Sequence, residues 1–228
     1  MLKYPCLILD HDDTVVQSEL TVNLPYFQMT LASFRPGSTI TEAEYADGCN
    51  RLGFAEFCRQ RFGFTEEELV AEYLGWKEYI KTHIPAPYPG IDAVIRRQKA
   101  LGGRIFVVSH SARENISRDY AKNFGILPDE IYGWDLPEEL CKPSDYALTA
   151  IMRDFGFSKK EMLVVDDMRP GYEMAHACGV PIAFSGWSRK DFPEISSQMK
   201  ALCDFSFDTV AELDTFLFGS LDKDGIIE

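Results

Sequence analysis

Four short stretches of this chain gather residue types that can do chemistry. Asp10-His11-Asp12-Asp13-Thr14 crowds three carboxylates, Ser109-His110-Ser111 offers hydroxyls and an imidazole, Lys142-Pro143-Ser144 offers an ammonium, and Asp166-Asp167 adds two more carboxylates. Two unit charges about 4 Å apart repel by roughly 4 kcal/mol at an effective dielectric near 20. A fold that brings such carboxylates together therefore needs a proton, a cation or a positive side chain among them. Acids, a hydroxyl and a lysine held in one place can bind a divalent metal and a phosphoryl group. Each stretch also has a plainer reading. Asp side chains cap turns, and a lone Ser or Lys carries little information.

The flanking elements sharpen that choice. Three of the stretches follow short, non-alternating apolar runs, at residues 6–9, 105–108 and 162–165, while Lys142 precedes the helical spacing Ala147, Leu148, Ile151, Met152, Phe155. Runs of that kind suit strands buried on both faces of a parallel sheet. The carboxyl ends of such strands are where open α/β sheets bind ligands. Beyond residue 90 the pattern alternates. Helices are expected at 91–101, 112–124, 144–155 and 171–178, the last closed by Gly179. Strands are expected at 104–108, 131–132, 162–165 and 180–184, then an edge strand at 205–207 and a helix at 209–218. This alternation predicts an α/β fold, a parallel sheet with helices on both faces.

Residues 16–86 differ. They show helical spacing and no strand run, with helices expected at 42–58 and 66–80, interrupted near Gly48 and Gly63. Pro85-Ala86-Pro87-Tyr88-Pro89-Gly90 then forms a stiff connector. The expected organisation is an α/β core domain made of 1–15 and 87–228, with a small helical domain, 16–86, inserted after the first strand. Residues 221–228 are polar and expected to be disordered.

With these residues in this order, the chain resembles the haloacid dehalogenase-like hydrolase superfamily. The branch is the one with a helical cap, which includes phosphoglycolate phosphatases and beta-phosphoglucomutases. The four stretches stand at the positions of that family's four motifs, and the resemblance spans about residues 5–190. It implies a Rossmann-like sheet and a cap that moves over the site and excludes water. It implies Asp10 as a nucleophile forming an aspartyl phosphate, and Asp12 as the acid that protonates the leaving group and then the base that takes a proton from water. Mg²⁺ would be held by Asp10, Asp167 and the backbone carbonyl of Asp12. Ser109 and the N–H groups after it would hold phosphoryl oxygens, and Lys142 would offset negative charge. Thr14 would order the motif loop. Asp166 would orient Lys142, assist the metal, or be an ordinary strand-end acid. His110 and His11 either touch substrate or are hydrogen-bonded structural residues. Arg51 belongs to an expected break at 48–51, where relatives carry a substrate-specificity loop, and is the leading cap candidate for recognising substrate, with Arg35, Arg59 and Arg61 competing. Two departures stand out. Asp13 occupies a position where Gly is common, a turn that Asp can form. Gly171 stands where a second acid is common, with Glu173 nearby.

The expected function is Mg²⁺-dependent hydrolysis of a small phosphorylated metabolite. A sugar-phosphate mutase and a non-catalytic binding or regulatory module on the same scaffold remain open. A dehalogenase of this family lacks the acid that Asp12 supplies. A phosphonate hydrolase uses a cap lysine, and no Lys occurs between Lys3 and Lys77. A formal net charge of −13 argues against nucleic acid and anionic membrane as partners. The six cysteines show neither C-x-x-C nor zinc spacing. Cys6 and Cys178 read as core. With no secretory segment at residues 1–5 and no apolar run long enough to span a bilayer, a cytoplasmic protein is expected, as a monomer or homodimer.

Overall fold

The structure, a computed structural model, describes residues 2–219. The stretch 221–228 lies outside the described residues. Six strands form one sheet: β1 (Cys6–Leu9), β2 (Arg104–Val108), β3 (Glu130–Tyr132), β4 (Met162–Asp166), β5 (Ile182–Ser185) and β6 (Phe205–Phe207). The order is β3-β2-β1-β4-β5-β6, and every neighbouring pair is parallel. The order reverses beside β1, which is where open sheets of this kind form a crevice. The register aligns Leu9 with Val107 on one side and Val165 on the other. Asp10, Val108 and Asp166 therefore stand at one level, at the carboxyl ends of their strands. The expected strand at 180–184 begins later, because Pro181 has no N–H; its carbonyl still accepts from Val164 N–H at 3.0 Å.

The chain divides into two compact units, Met1–Val16 with Pro87–Glu228, and Gln17–Ala86. The second is helical: a π-helical turn at Glu19–Asn23, then α1 (Leu24–Phe34), α2 (Glu42–Leu52), α3 (Phe54–Phe62) and α4 (Glu66–Tyr79). Its core gathers around Phe27, whose ring lies 5.4 Å from that of Tyr45 and 5.5 Å from that of Phe54. Thr41 and Thr65 start α2 and α4 as capping boxes with Glu44 and Glu68. The expected helix at 42–58 is two helices, and the break is not at Gly48. Gly48 lies inside α2, where a Cβ would come within 2.3 Å of the Phe57 ring. The break falls at Gly53, whose φ of 75° a side chain would resist. Residues 48–51 are thus helical, and no loop interrupts the chain there. Gly63 does end α3, in a left-handed conformation.

The α/β unit adds α5 (Ile91–Ala100), α6 (Arg113–Phe124), α7 (Tyr146–Phe155), α8 (Arg169–Cys178), α9 (Pro193–Leu202) and α10 (Val210–Phe218). Alternate strand residues face opposite layers. Leu7, Leu9, Ile105, Val107, Leu163 and Val165 pack with residues of α5, α6 and α10. Cys6, Ile8, Phe106, Val108, Met162 and Val164 pack with residues of α7 and α8. Burial on both faces explains why these strands read as continuous apolar runs. Cys6 and Cys178 are buried. Cys6, Cys58, Cys141, Cys178 and Cys203 carry free thiols. No described helix is long and apolar enough to cross a membrane.

Candidate active site

The turn after β1 is built by its own backbone. Asp10 N–H donates to Val165 carbonyl at 2.9 Å, carrying the sheet pairing one residue past the strand. The amides of Val15 and Val16 both donate to the His11 carbonyl, and Asp13 N–H donates to the Val16 carbonyl. This tight closure puts Asp13 at φ 54°, the one positive φ among described non-glycine residues. The turn thus forms with Asp where Gly is common, because Asp tolerates the left-handed region. Thr14 orders the loop, its hydroxyl 2.9 Å from that of Ser185 and its carbonyl accepting from the Trp187 indole at 3.1 Å. His11 is buried, and its Nε2 donates to Asp119 on α6 at 3.1 Å. That contact supports its structural reading.

Strand ends then deliver the other groups. Lys142 is buried, and its Nζ donates to Asp10 Oδ1 and to Asp166 Oδ2, each at 2.8 Å. Burial works against its positive charge, yet Asp10 and Asp166 together hold its pKa above the ordinary lysine value. His110 is exposed, and its Nε2 donates to the Lys142 carbonyl at 2.9 Å, tying the loop after β2 to the lysine's backbone. Ser109 Oγ lies 3.5 Å from Asp12 Oδ2, while Ser111 Oγ donates to the same oxygen at 2.5 Å. Ser111 N–H in turn donates to Ser109 Oγ.

The two acids after β4 have different surroundings. Asp166 is satisfied on both oxygens, by Met168 N–H on Oδ1 and by Lys142 on Oδ2. Asp167 takes the Arg189 guanidinium on Oδ2, with Nε at 2.8 Å and Nη2 also donating. Its Oδ1 is buried and has no hydrogen-bond partner among the described residues. Ligand atoms of Asp10, Asp166 and Asp167 all lie within 4.8 Å of one another. A bare, buried carboxylate oxygen in a cluster of hard oxygen donors fits a divalent cation. Burial pushes the Asp166 and Asp167 carboxyls up, and Asp10 adds to the rise, against the pull of Lys142 and Arg189. Gly171 is explained by space. A Cβ there would come within 2.1 Å of the Asp166 carboxyl group, so a side chain at that position would require Asp166 to move. Glu173 does not replace it; it pairs with Arg169 at 2.8 Å on α8.

Arg51 lies in the last turn of α2, exposed, 3.2 Å from Asp47. Of its rivals, Arg35 and Arg59 are each tied down by several hydrogen bonds, and Arg61 is placed much as Arg51 is. Arg35 spends its guanidinium on Glu68 and on the carbonyls of Phe34, Phe62 and Gly63. Arg59 pairs with Glu56 and Glu66, and Arg61 lies 3.6 Å from Glu44. The positions of Ser111, Asp119, Ser185, Trp187 and Arg189 beside the motif residues do not follow from the sequence pattern. The pairing of Ser111 with Ser109 around one histidine was the available signal. A solitary Arg in the loop after β5 gave none.

No curated protein matches the chain in sequence. Its fold matches that of a Haemophilus somnus protein described as a predicted phosphoglycolate phosphatase, at 20% identity over 95% of this chain and 99% of that one, with a TM-score of 0.78. It also matches CbbY from Rhodobacter sphaeroides solved with phosphate, at 21% identity over 93% and 96% of the two chains, TM-score 0.69. A mutant of CbbY solved with xylulose-1,5-bisphosphate matches at 20% identity over the same shares, TM-score 0.69. At such identities the likeness is one of fold. The family model for haloacid dehalogenase-like hydrolases matches residues 7–184, from within β1 to β5. That span holds Asp10, Ser109, Lys142 and Asp167, so the chain belongs to the haloacid dehalogenase-like hydrolases.

Proposed function

We propose that this hydrolase is a Mg²⁺-dependent phosphatase acting on a small phosphate monoester through an aspartyl phosphate at Asp10. The observation that carries the reading is the division of labour around Asp10: a buried ammonium on one side, and the bare oxygen of Asp167 in the same acid cluster. Asp10 and Asp167, with the backbone carbonyl of Asp12, would hold the cation. When bound, it would neutralise carboxylate and phosphoryl charge. An Asp10 oxygen attacks phosphorus, and the bond to the leaving alkoxide breaks as Asp12 gives it a proton. Asp12 Oδ2 is held by Ser111 and Ser109, which leaves Oδ1 as the oxygen that moves the proton. Asp12 then takes a proton from the water that attacks phosphorus, and Asp10 is regenerated. Ser109 and the N–H groups after it hold phosphoryl oxygens. Lys142 offsets the charge that builds in the transition state.

The unit Gln17–Ala86 would serve as the lid, and Arg51 would recognise the leaving group. Arg51 is suited to this because it is exposed and its ion-pair partner among the described residues, Asp47, is an exposed side chain one turn away on α2. The phosphate and bisphosphate found with CbbY support the substrate class. The buried free thiols of Cys6, Cys58 and Cys178 favour a reducing, cytoplasmic setting. The test is a panel of phosphate monoesters assayed with and without Mg²⁺. Release of inorganic phosphate that requires Mg²⁺ is the expected result. Phosphoryl transfer between sugar hydroxyls without net release would mean a mutase, and inertness toward the whole panel would mean a binding module.

A further inference from the structure

We propose that Arg189 is a positioning residue of the metal-ligand set: it holds Asp167 by one oxygen so that the other is turned to the cation. The inference rests on the metal-dependent reading above and goes beyond it. Arg189 follows the short 3-10 turn Gly186–Ser188 after β5 and is only 5% exposed. Its Nε and Nη2 both donate to Asp167 Oδ2. Nη2 also lies 3.6 Å from Asp13 Oδ2, and the guanidinium sits 5.8 Å from the centre of the Phe192 ring. One guanidinium thus joins the acid after β4, the left-handed turn after β1 and the loop after β5. The result is an unequal carboxylate, with Oδ2 saturated and Oδ1 buried and bare. Asp166 next to it has both oxygens satisfied. Gly171 offers no side chain to brace the acids, and Asp166 occupies the space a Cβ there would take.

Arg189 acts on a bound cation in two opposed ways. Its charge repels the cation, so removing it would tighten binding if charge were its whole effect. Its two N–H groups fix the rotamer of Asp167, so removing them would weaken binding. The geometry points to the second effect as the larger. Groups that orient a metal ligand typically change affinity by about 10-fold to 100-fold when removed. Lysine keeps the charge but cannot place two N–H groups from a rigid plane on one oxygen.

The test is Mn²⁺ and Mg²⁺ binding to the full chain by titration calorimetry, with circular dichroism as the check of fold. Wild type should bind, and Asp167→Ala should lose binding. Arg189→Gln and Arg189→Lys should each bind about 10-fold or more weakly. Unchanged or tighter binding in Arg189→Gln would overturn the inference and leave Arg189 a buried counter-charge. If Arg189→Gln does not fold, Arg189→Lys decides, and full affinity in that variant would equally overturn it. Failure of the wild type to bind either ion would overturn the metal reading and this inference together. Binding that depends on Asp167 but not on Arg189 would overturn the inference alone.

Discussion

The two units of this molecule treat charge in opposite ways. In the α/β unit, Asp10, Asp13, Asp166, Asp167, Lys142 and Arg189 are all buried, packed at the ends of β1, β4 and β5. In the helical unit, the pairs Arg59–Glu66, Arg51–Asp47 and Lys81–Glu78 stand at the surface. Among the described residues the exception there is Glu72, which is buried on α4. Surface pairs gain little because water screens them. Buried acids are costly unless something positive stays close. A strand end loaded with buried carboxylates is therefore poor as a stabilising device and apt for holding a cation and a phosphoryl group.

Substitutions in the two units should have unequal effects. Asp10→Asn should lower turnover of an aryl phosphate by roughly 10³-fold or more, with the far-ultraviolet dichroism unchanged. Lys142→Ala should depress kcat/KM by about 10²- to 10³-fold on every substrate. It should also cost about 3–5 kcal/mol of stability, since Asp10 and Asp166 lose their shared cation, and urea unfolding with and without Mg²⁺ would show part of that loss restored. Asp167→Ala should weaken Mg²⁺ binding far more than Asp166→Ala, because Asp166 is already spent on Lys142 and Met168; calorimetry reporting equal losses would reverse that ligand assignment.

The helical unit should respond less, and differently. Burial pushes the Glu72 carboxyl up to about 7. The folded state then holds a proton that the unfolded chain releases at an ordinary carboxylate pKa. Stability should therefore fall as pH rises from about 4.5 to about 7 and level off above. Glu72→Gln should remove that slope and stabilise the chain at pH 8 by on the order of 2 kcal/mol, but not at pH 4. Parallel urea midpoints for the two chains at both pH values would refute it. Smallest of all, Arg59→Ala should leave the melting temperature unchanged within error.

Much of the α/β unit was legible in the sequence because its strands are buried on both faces. Runs such as Cys6-Leu7-Ile8-Leu9 then admit few other readings, and the polar residue ending each run marks the crevice. Asp13 was legible too, since a left-handed turn excludes most residues but not Asp. Arg189 was not. It follows no periodic run, and an Arg in a loop is ordinarily solvated; its role depends on three loops meeting in space. The break at Gly53 rather than Gly48 was hidden for a related reason. Both glycines sit in helical spacing, and the difference is that Gly48 packs against Phe57 while Gly53 carries the positive φ.

Covalent hydrolysis at this site requires Asp10 to form a bond to phosphorus. Rapid quenching of the Mg²⁺-loaded enzyme during turnover of an aryl phosphate, followed by borohydride reduction and peptide mass spectrometry, tests this directly. An acyl phosphate on Asp10 should be reduced there to homoserine, and the product should be absent from Asp10→Asn and from enzyme quenched without substrate. Steady turnover with aspartate intact at position 10 and no reduced residue elsewhere would contradict the covalent mechanism. Homoserine at Asp12, Asp166 or Asp167 would move the nucleophile to that residue.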